Sequence, residues 1–437
     1  MATSLRNIVV VGGSFAGAAT SQGLANLLPS THRVLLIEPH SHFHYLFAFP
    51  RFSIVPTYEH KAFIPFSGVF AAVPSPERHH VVRARVSALH KDRVVLDREW
   101  QGVHEIPYDY LVLATGTNLR APGTMKDEEK ALSVKYLQNY QQRLKNSSSV
   151  AVIGGGAVGV QKISRAKKLP SKPKLEPGSL TRFRDAHKLC LKRQQLTPGI
   201  VVATDLKEIY PEKEITLIHS RDQLMPLFHN DLSEIIKARC QELGVKLALG
   251  SRVNIPEDEF QNDSKGPITL SLQNGNTLHA DAVILATGQM PNTQFFSTLP
   301  ASSEDSLLNP TNGFIRVRPT LQLQDPSYPH LFAVGDVADS GAHKAARPGV
   351  NQAQVVAKNI LDLVEGREPS EKIEITPPGI HLSLGLSKNI IFRNPNTSKG
   401  DTEPSVVWRD DGTRDMEIDA AWVRRGVPVK SEAEYHL

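Results

Sequence analysis

Two glycine-rich segments of this 437-residue sequence have the spacing of loops that hold the diphosphate of a dinucleotide. The first reads Gly12-Gly13-Ser14-Phe15-Ala16-Gly17. Gly12 would form the tight turn, the small Ser14 would let the diphosphate approach the backbone N–H groups, and Gly17 would let a helix pack closely on the preceding strand. Glu38 follows Gly17 by about 20 residues, where a carboxylate accepts hydrogen bonds from an adenosine ribose. The segment therefore predicts one dinucleotide site.

The second segment, Gly154-Gly155-Gly156-Ala157-Val158-Gly159, fits the pattern without substitution. Its binding glycines are predicted to be Gly154, Gly156 and Gly159. The strand that follows ends in His219-Ser220-Arg221 rather than in an acid. A cation such as Arg221 accommodates the 2′-phosphate of NADPH, although an exposed surface arginine explains the residue equally well. The sequence thus predicts a second dinucleotide and leaves NADH and NADPH open.

Each glycine loop lies between a predicted strand and a predicted helix, which is the arrangement of a βαβ unit. The strands are recognised as short apolar runs rich in β-branched residues, typical of buried parallel sheets. Two of them end in the repeated sequence Ala-Thr-Gly, and another ends in Gly335-Asp336. The predicted strands are 7–11, 33–37, 110–114, 149–153, 215–218, 282–285 and 331–334.

The predicted fold class is α/β, with two Rossmann-like dinucleotide-binding domains and a short C-terminal extension. The first domain is discontinuous and comprises residues 1–122 and 287–368. The second comprises residues 123–286, and the extension comprises 369–437. Roughly the last 35 residues are charged and sparsely apolar, so no defined elements are predicted there.

Composition further narrows the class of protein and its expected cellular compartment. With 40% hydrophobic and 22% charged residues, the chain is globular rather than disordered or fibrous. The most apolar stretch, 150–160, is too short for a transmembrane helix. Cys190 and Cys240 are the only cysteines and form no closely spaced pair. We expect a reducing cytoplasmic location, with peripheral attachment to a mitochondrial or other intracellular membrane left open.

The net charge of +5 is concentrated in one segment. Residues 162–202 contain eleven lysines and arginines against two acids, together with four prolines. A helix interior does not accept those prolines, each of which costs roughly 3 kcal/mol. The sequence therefore predicts an irregular insertion at 162–202 that interrupts the helix after the second loop. It is either a surface loop with its own partner or a segment present only in the conceptual translation, such as an unspliced intron.

Together these residues resemble the two-domain flavoprotein reductases, in particular the apoptosis-inducing-factor-like branch that includes ferroptosis-suppressor-type NAD(P)H quinone reductases. The resemblance covers about residues 7–365. The matching segments are 12–17, 47–51, 61–65, 114–116, 154–159, 215–221, 286–288, 291–292 and 334–336.

The resemblance implies FAD at the first loop and NADH or NADPH at the second. By this resemblance Arg51 and Lys61 would lie beside the flavin, Val86 would touch the adenine, and Asp336 would bind the ribityl chain. Lys344 resembles the family's lysine beside the isoalloxazine ring, although a surface lysine is the plain alternative. Gln161 stands where the family commonly has an acid near the nicotinamide, which affects the expected rate. The implied cofactor-binding set also includes Thr115, Gly116 and Gly288.

The expected reaction is hydride transfer from NAD(P)H to flavin and then to a small acceptor such as a quinone. No cysteine lies in 45–54, so electrons would leave the flavin directly. Two alternatives stay open: a reductase for a ferredoxin-like partner, and a non-enzymatic NAD(P)H-sensing flavoprotein whose insert 162–202 contacts nucleic acid or an acidic surface. His40, His42 and His44 alternate without a completing ligand, so no metal is expected. Monomer and homodimer are both compatible with the sequence.

Overall fold

The computed structural model describes residues 5–156, 198–260 and 266–437. Its helices are α1 (Phe15–Leu27), α2 (Phe49–Phe52), α3 (Lys130–Asn146), α4 (Pro198–Ile209), α5 (Asn230–Leu243), α6 (Ala346–Val364) and α7 (Ile418–Arg424). Its strands are β1 (Arg6–Val11), β2 (His32–Ile37), β3 (His42–His44), β4 (Phe63–Pro65), β5 (His80–Val82), β6 (Val86–Leu89), β7 (Arg93–Trp100), β8 (Val103–Pro107), β9 (Tyr110–Leu113), β10 (Thr117–Leu119), β11 (Ser149–Ile153), β12 (Glu214–Ile218), β13 (Lys246–Ala248), β14 (Ile268–Ser271), β15 (Thr277–Ala280), β16 (Ala282–Leu285), β17 (Gln289–Pro291), β18 (Ile315–Arg316), β19 (Leu331–Ala333), β20 (Ala338–Asp339), β21 (Gly379–Ser383), β22 (Asn389–Arg393) and β23 (Ser405–Arg409).

The first domain is built on a parallel five-stranded sheet in the order β19-β9-β1-β2-β5. Residues 8–11 of β1 are apolar and buried, as expected for a central strand covered on both faces. α1 connects β1 to β2 and packs against α6, which comes from the second part of the domain. Because parallel strands end at one edge, the first glycine loop, Glu38 and the Gly335-Asp336 turn share that edge.

The second domain has a parallel four-stranded sheet in the order β13-β12-β11-β16. α4, which precedes β12, begins at Pro198, so residues 198–202 of the predicted insertion are helical rather than irregular. Residues 162–197 of the predicted insertion, together with Gly159 and Gln161, lie outside the described residues.

The two domains are joined by a two-stranded antiparallel ribbon. In this ribbon β10 pairs with β17, with Thr117 opposite Pro291 and Leu119 opposite Gln289. One strand carries the chain out of the first domain and the other carries it back. The predicted α/β class with two Rossmann-like domains is thus confirmed, while the boundaries given above stay predictions.

The C-terminal extension contains more structure than its composition indicates. β21, β22 and β23 form an antiparallel sheet, and the buried residues of β21 and β22 join the core of the second domain. α7 instead buries Ile418, Ala421 and Trp422 in the core of the first domain. The expectation of no defined elements in the last 35 residues is therefore wrong. A few apolar residues at positions i, i+3 and i+4 are enough when a finished core is available to receive them.

Candidate dinucleotide sites

The first loop accepts only glycine at two positions, one because of its backbone conformation and one because of close contact. Gly12 has a φ of +101°, and a Cβ on it would lie 2.5 Å from the Ala114 carbonyl oxygen. A Cβ on Gly17 would lie 1.7 Å from the Gly12 carbonyl oxygen. Ser14 is the N-cap of α1, and its side chain does not cap the helix. The first N–H groups of α1 are therefore not used by that side chain, and a helix start of this kind binds a diphosphate.

Glu38 follows β2 and reaches the same loop. Its Oε2 accepts a hydrogen bond from the Gly13 N–H at 2.6 Å, and its Oε1 accepts one from the His40 N–H at 3.0 Å. Oε1 also lies 2.5 Å from Nδ1 of His40. The carboxylate is thus buried and oriented at the loop, which fits the predicted role at the adenosine ribose.

Asp336 follows β19 at the same edge of the sheet, and Lys344 comes eight residues later. Gly335, with a φ of +73°, lies against α1, because a Cβ on it would be 2.8 Å from Cβ of Ala16. Asp336 accepts a hydrogen bond from Nε2 of Gln289 at 3.1 Å. Burial raises the pKa of the Asp336 carboxyl, and the Lys344 ammonium opposes that rise. The turn that carries Asp336 is therefore packed directly on the first loop.

Lys344 is not a surface lysine. Its side chain is buried, its Nζ donates to the Ala338 carbonyl oxygen, and the same atom lies 4.3 Å from the centre of the Phe314 ring. Burial lowers the pKa of its ammonium, while the carboxylates of Asp336 and Asp339 oppose that change. A buried cation that interacts with a half-buried acid is the kind of arrangement found at functional sites. Its role beside the isoalloxazine stays a prediction.

Arg51 lies at a junction between three parts of the chain. It is 1% exposed, and its guanidinium forms an ion pair with Asp205 of α4. It also donates to the carbonyl oxygens of Gly385, at 2.9 Å, and Thr413, at 3.0 Å. Burial raises the pKa of Asp205 to about 6, and the charge of Arg51 opposes that rise. α2, α4 and the C-terminal extension are thus joined through one arginine, and sequence reasoning missed its partner Asp205.

Lys61 is likewise held by the C-terminal segment. Its Nζ lies 3.1 Å from Oε2 of Glu432 and 4.1 Å from the centre of the Tyr435 ring. The backbone oxygen of Lys61 accepts a hydrogen bond from Nε1 of Trp422 at 2.8 Å. The placement of Arg51 and Lys61 beside the flavin, which the resemblance implies, stays a prediction.

Thr115, Gly116 and Gly288 lie where the chain passes between the domains. Oγ1 of Thr115 donates to the Asn292 carbonyl oxygen at 2.8 Å, and Nδ2 of Asn292 donates back to the Thr115 carbonyl oxygen at 2.9 Å. Gly116 and Gly288 have φ values of +62° and +74°, which glycine adopts without strain. Val86 is buried at the start of β6. Contact of these residues with a cofactor remains predicted.

The second loop repeats the geometry of the first, but the residue after the following strand is His219 instead of an acid. Gly154 has a φ of +121°, and a Cβ on it would lie 2.3 Å from the Ala286 carbonyl oxygen. The Gly155 N–H donates to Nδ1 of His219 at 3.2 Å. His219 therefore takes the place that Glu38 has in the first domain. Arg221 is exposed two residues later. Burial lowers the pKa of His219, and the positive charge of Arg221 lowers it further.

In the first loop the third glycine, Gly17, lets the helix pack closely on the turn at Gly12. In the second domain the corresponding contact is made by Gly199. A Cβ on Gly199 would lie 1.9 Å from the Gly154 carbonyl oxygen and 3.0 Å from Cβ of Ala286. The matching distances for Gly17 are 1.7 Å to the Gly12 oxygen and 3.1 Å to Cβ of Ala114. Sequence reasoning missed Gly199 because it lies far along the chain from Gly154. The available signal was the apolar run at 200–203, which continues directly into the resumed helix.

Two further findings bear on the chemistry. Cys240 is buried, and burial raises the pKa of its thiol to about 12. Within the described ranges, no group of three or more histidines, cysteines or acids could hold a metal ion. In the same part of the chain, no helix is long and apolar enough to cross a membrane.

Two parallel dinucleotide-binding sheets joined by one ribbon form the architecture of a flavin-dependent, pyridine-nucleotide-linked oxidoreductase. Residues 6–358 match the model of the pyridine nucleotide-disulphide oxidoreductase family, and the chain belongs to that family. The glycine cradle and the oriented Glu38 fit FAD, and the predicted cofactors, FAD with NADH or NADPH, are confirmed.

Individual relatives agree with this assignment. The chain is 34% identical to Fe-regulated protein 8 of Mycosarcoma maydis, over 97% of this chain and 95% of the relative. It is 26% identical to ferroptosis suppressor protein 1 of Mus musculus, over 84% and 83% of the two chains. Among solved structures, the sulfide:quinone oxidoreductase of Aquifex aeolicus shares the fold with a TM-score of 0.66 and 18% identity, covering 98% of this chain and 94% of that one. The predicted resemblance to the apoptosis-inducing-factor-like branch is confirmed.

Proposed function

We propose that this oxidoreductase passes electrons from NAD(P)H through FAD to a small quinone-like acceptor. The observation that carries the proposal is the cysteine content. The chain has two cysteines, and the one in the described residues, Cys240, is buried with a thiol pKa of about 12. A thiol in that state is neither a nucleophile nor half of a redox pair. Electrons that enter the flavin therefore leave it directly for a diffusible acceptor.

The residues of the chain divide the remaining work. When bound, FAD supplies the two-electron chemistry. The first loop and the start of α1 would hold its diphosphate, and Glu38 would orient the adenosine end. Asp336 would place a half-buried carboxyl group, and Lys344 a buried amino group, at the flavin end. The name of one similar protein, a sulfide:quinone oxidoreductase, supports a quinone acceptor, and the resemblance to ferroptosis-suppressor-type quinone reductases agrees with it.

The test is a two-stage stopped-flow experiment on the purified yellow protein. The flavin is first reduced with NADH or NADPH without oxygen, and its reoxidation is then timed with a water-soluble quinone, oxygen, a small disulfide or a ferredoxin. We expect the quinone to be the fastest acceptor, and Cys240→Ala to leave every rate unchanged. Faster reoxidation by the disulfide or the ferredoxin would refute the proposed acceptor. A flavin that neither nucleotide bleaches would refute the enzymatic function itself.

A further inference from the structure

Arg425, directly after α7, carries a charge into an aromatic cluster of the first domain. Its guanidinium carbon lies 3.9 Å from the centre of the Phe43 ring and 5.0 Å from that of Phe15. Burial lowers the pKa of this guanidinium to about 10, so it is still protonated at neutral pH. The residue is half-buried, and the Phe43 and Phe15 rings lie against its guanidinium group.

This cation has no acidic partner among the residues that the structure describes. Within the described ranges, the Arg425 side chain forms no ion pair and no hydrogen bond. The ionisable groups that act on it are Tyr45 and Arg424. Arg424 is a like charge. Contact with aromatic faces stabilises the cation only weakly and leaves its N–H donors unused. Those donors are therefore available to an anion.

The anion-binding end of the first domain is next to this cation. Phe15, on whose ring the guanidinium lies, is the first residue of α1, immediately after the cap Ser14. Phe66 of the same aromatic cluster also lies against the loop, because a Cβ on Gly13 would lie 2.9 Å from its ring. The loop itself provides N–H donors and the partial charge of a helix start, but no full positive charge. A guanidinium fork supplies that charge in a shape that matches phosphate oxygens.

Backbone contacts hold Arg425 in this position. A Cβ on Gly68 would lie 1.9 Å from the Arg425 carbonyl oxygen, and one on Gly426 would lie 2.7 Å from the Gly68 oxygen. Trp422, which is fully buried, anchors the preceding turn by donating to the Lys61 carbonyl oxygen at 2.8 Å. The Arg425 N–H donates to the Ala421 carbonyl oxygen at 3.1 Å. The turn therefore has little freedom to move away from the first loop.

We propose that Arg425 is a diphosphate-binding residue of the FAD site, supplied by the C-terminal segment. The proposal rests on FAD binding by the first loop and is independent of the electron acceptor. Its consequence is that the C-terminal extension completes the flavin site.

The test titrates the full-length protein, stripped of flavin, with FAD, ADP and riboflavin in turn. Arg425→Met should weaken FAD and ADP binding about 10- to 100-fold, since a charge-assisted hydrogen bond to a buried group is lost. Riboflavin has no phosphate, so its affinity should not change. Arg425→Lys should retain part of the affinity for FAD. Arg414→Ala removes an exposed arginine of the same segment and is the matched control.

Thermal melting of the stripped protein separates ligand binding from a purely structural role. Methionine covers the rings without a buried charge, so Arg425→Met should melt at the same temperature as the parent or higher, and FAD should raise its melting temperature less. Equal losses for FAD and riboflavin, or a lower melting temperature without ligand, would overturn the proposal. An unchanged affinity for FAD and ADP would do so as well.

Discussion

Replacing Gly199 by alanine tests which glycine completes the second dinucleotide loop. The new methyl group would lie 1.9 Å from the Gly154 carbonyl oxygen, more than 1 Å inside the usual contact distance of about 3.5 Å. Both groups are fixed, one in α4 and one in a turn with a φ of +121°, so helix and loop must separate. Overpacking of this kind costs about 1–3 kcal/mol, and a displacement of about 1 Å at a binding loop costs on the order of 100-fold in rate.

We therefore expect Gly199→Ala to slow flavin reduction by NADH or NADPH about 10- to 100-fold. The FAD content and the visible spectrum should stay as in the parent, because the first domain is untouched. The assay is anaerobic stopped-flow absorbance at the flavin band over a range of nucleotide concentrations, which separates binding from the rate of reduction. The saturating rate and the dissociation constant should both change.

Two matched variants make the result decisive. Gly17→Ala introduces the corresponding clash, 1.7 Å from the Gly12 oxygen, so it should lower FAD occupancy instead. Gly159→Ala changes the glycine that the sequence pattern alone selects. Its flavin should be reduced by NADH or NADPH at the same rate as that of the parent protein. If Gly159→Ala slows reduction and Gly199→Ala does not, the assignment of Gly199 is wrong.

Further predictions concern single side chains. Lys344→Met removes a buried amino group, so we expect a lower flavin midpoint potential in dye titrations and about 10- to 100-fold slower flavin reduction. Lys399→Met, at an exposed lysine, is the control. An unchanged midpoint potential in Lys344→Met would contradict this prediction. Arg221→Ala should raise KM for NADPH about tenfold and leave that for NADH unchanged; equal changes in steady-state assays would show that Arg221 does not read the 2′-phosphate. Burial holds the pKa of His44 well below 6.5, so the unfolded chain binds a proton that the folded protein excludes. The free energy of unfolding should thus fall below about pH 6.5, by up to about 1.4 kcal/mol per pH unit for this group. In urea titrations from pH 7 to 5, His44→Gln should flatten that decline and exposed His104→Gln should not; parallel curves for parent and His44→Gln would contradict the reasoning.

The sequence by itself determined the fold class, the two glycine loops and the presence of two dinucleotide sites. Each of these signals is contained in one βαβ unit, where a strand, a turn and a helix are neighbours along the chain. Gly12 and Gly154 have the positive φ values that their turns require, and Glu38 reaches the first loop as its spacing indicates. Local spacing is sufficient in these cases because the residues that must meet are separated by one crossover.

Tertiary structure alone decided which distant parts of the chain meet. Arg51 meets Asp205 across 154 residues, and Trp422 meets Lys61 across 361. Gly199 is the described glycine that lies against the Gly154 oxygen, as Gly17 lies against the Gly12 oxygen in the first domain. Arg425 reaches Phe15 only because a few apolar residues of α7 enter a core built by other segments. Approach between such distant residues depends on how finished elements pack, and no local pattern of residue types encodes it.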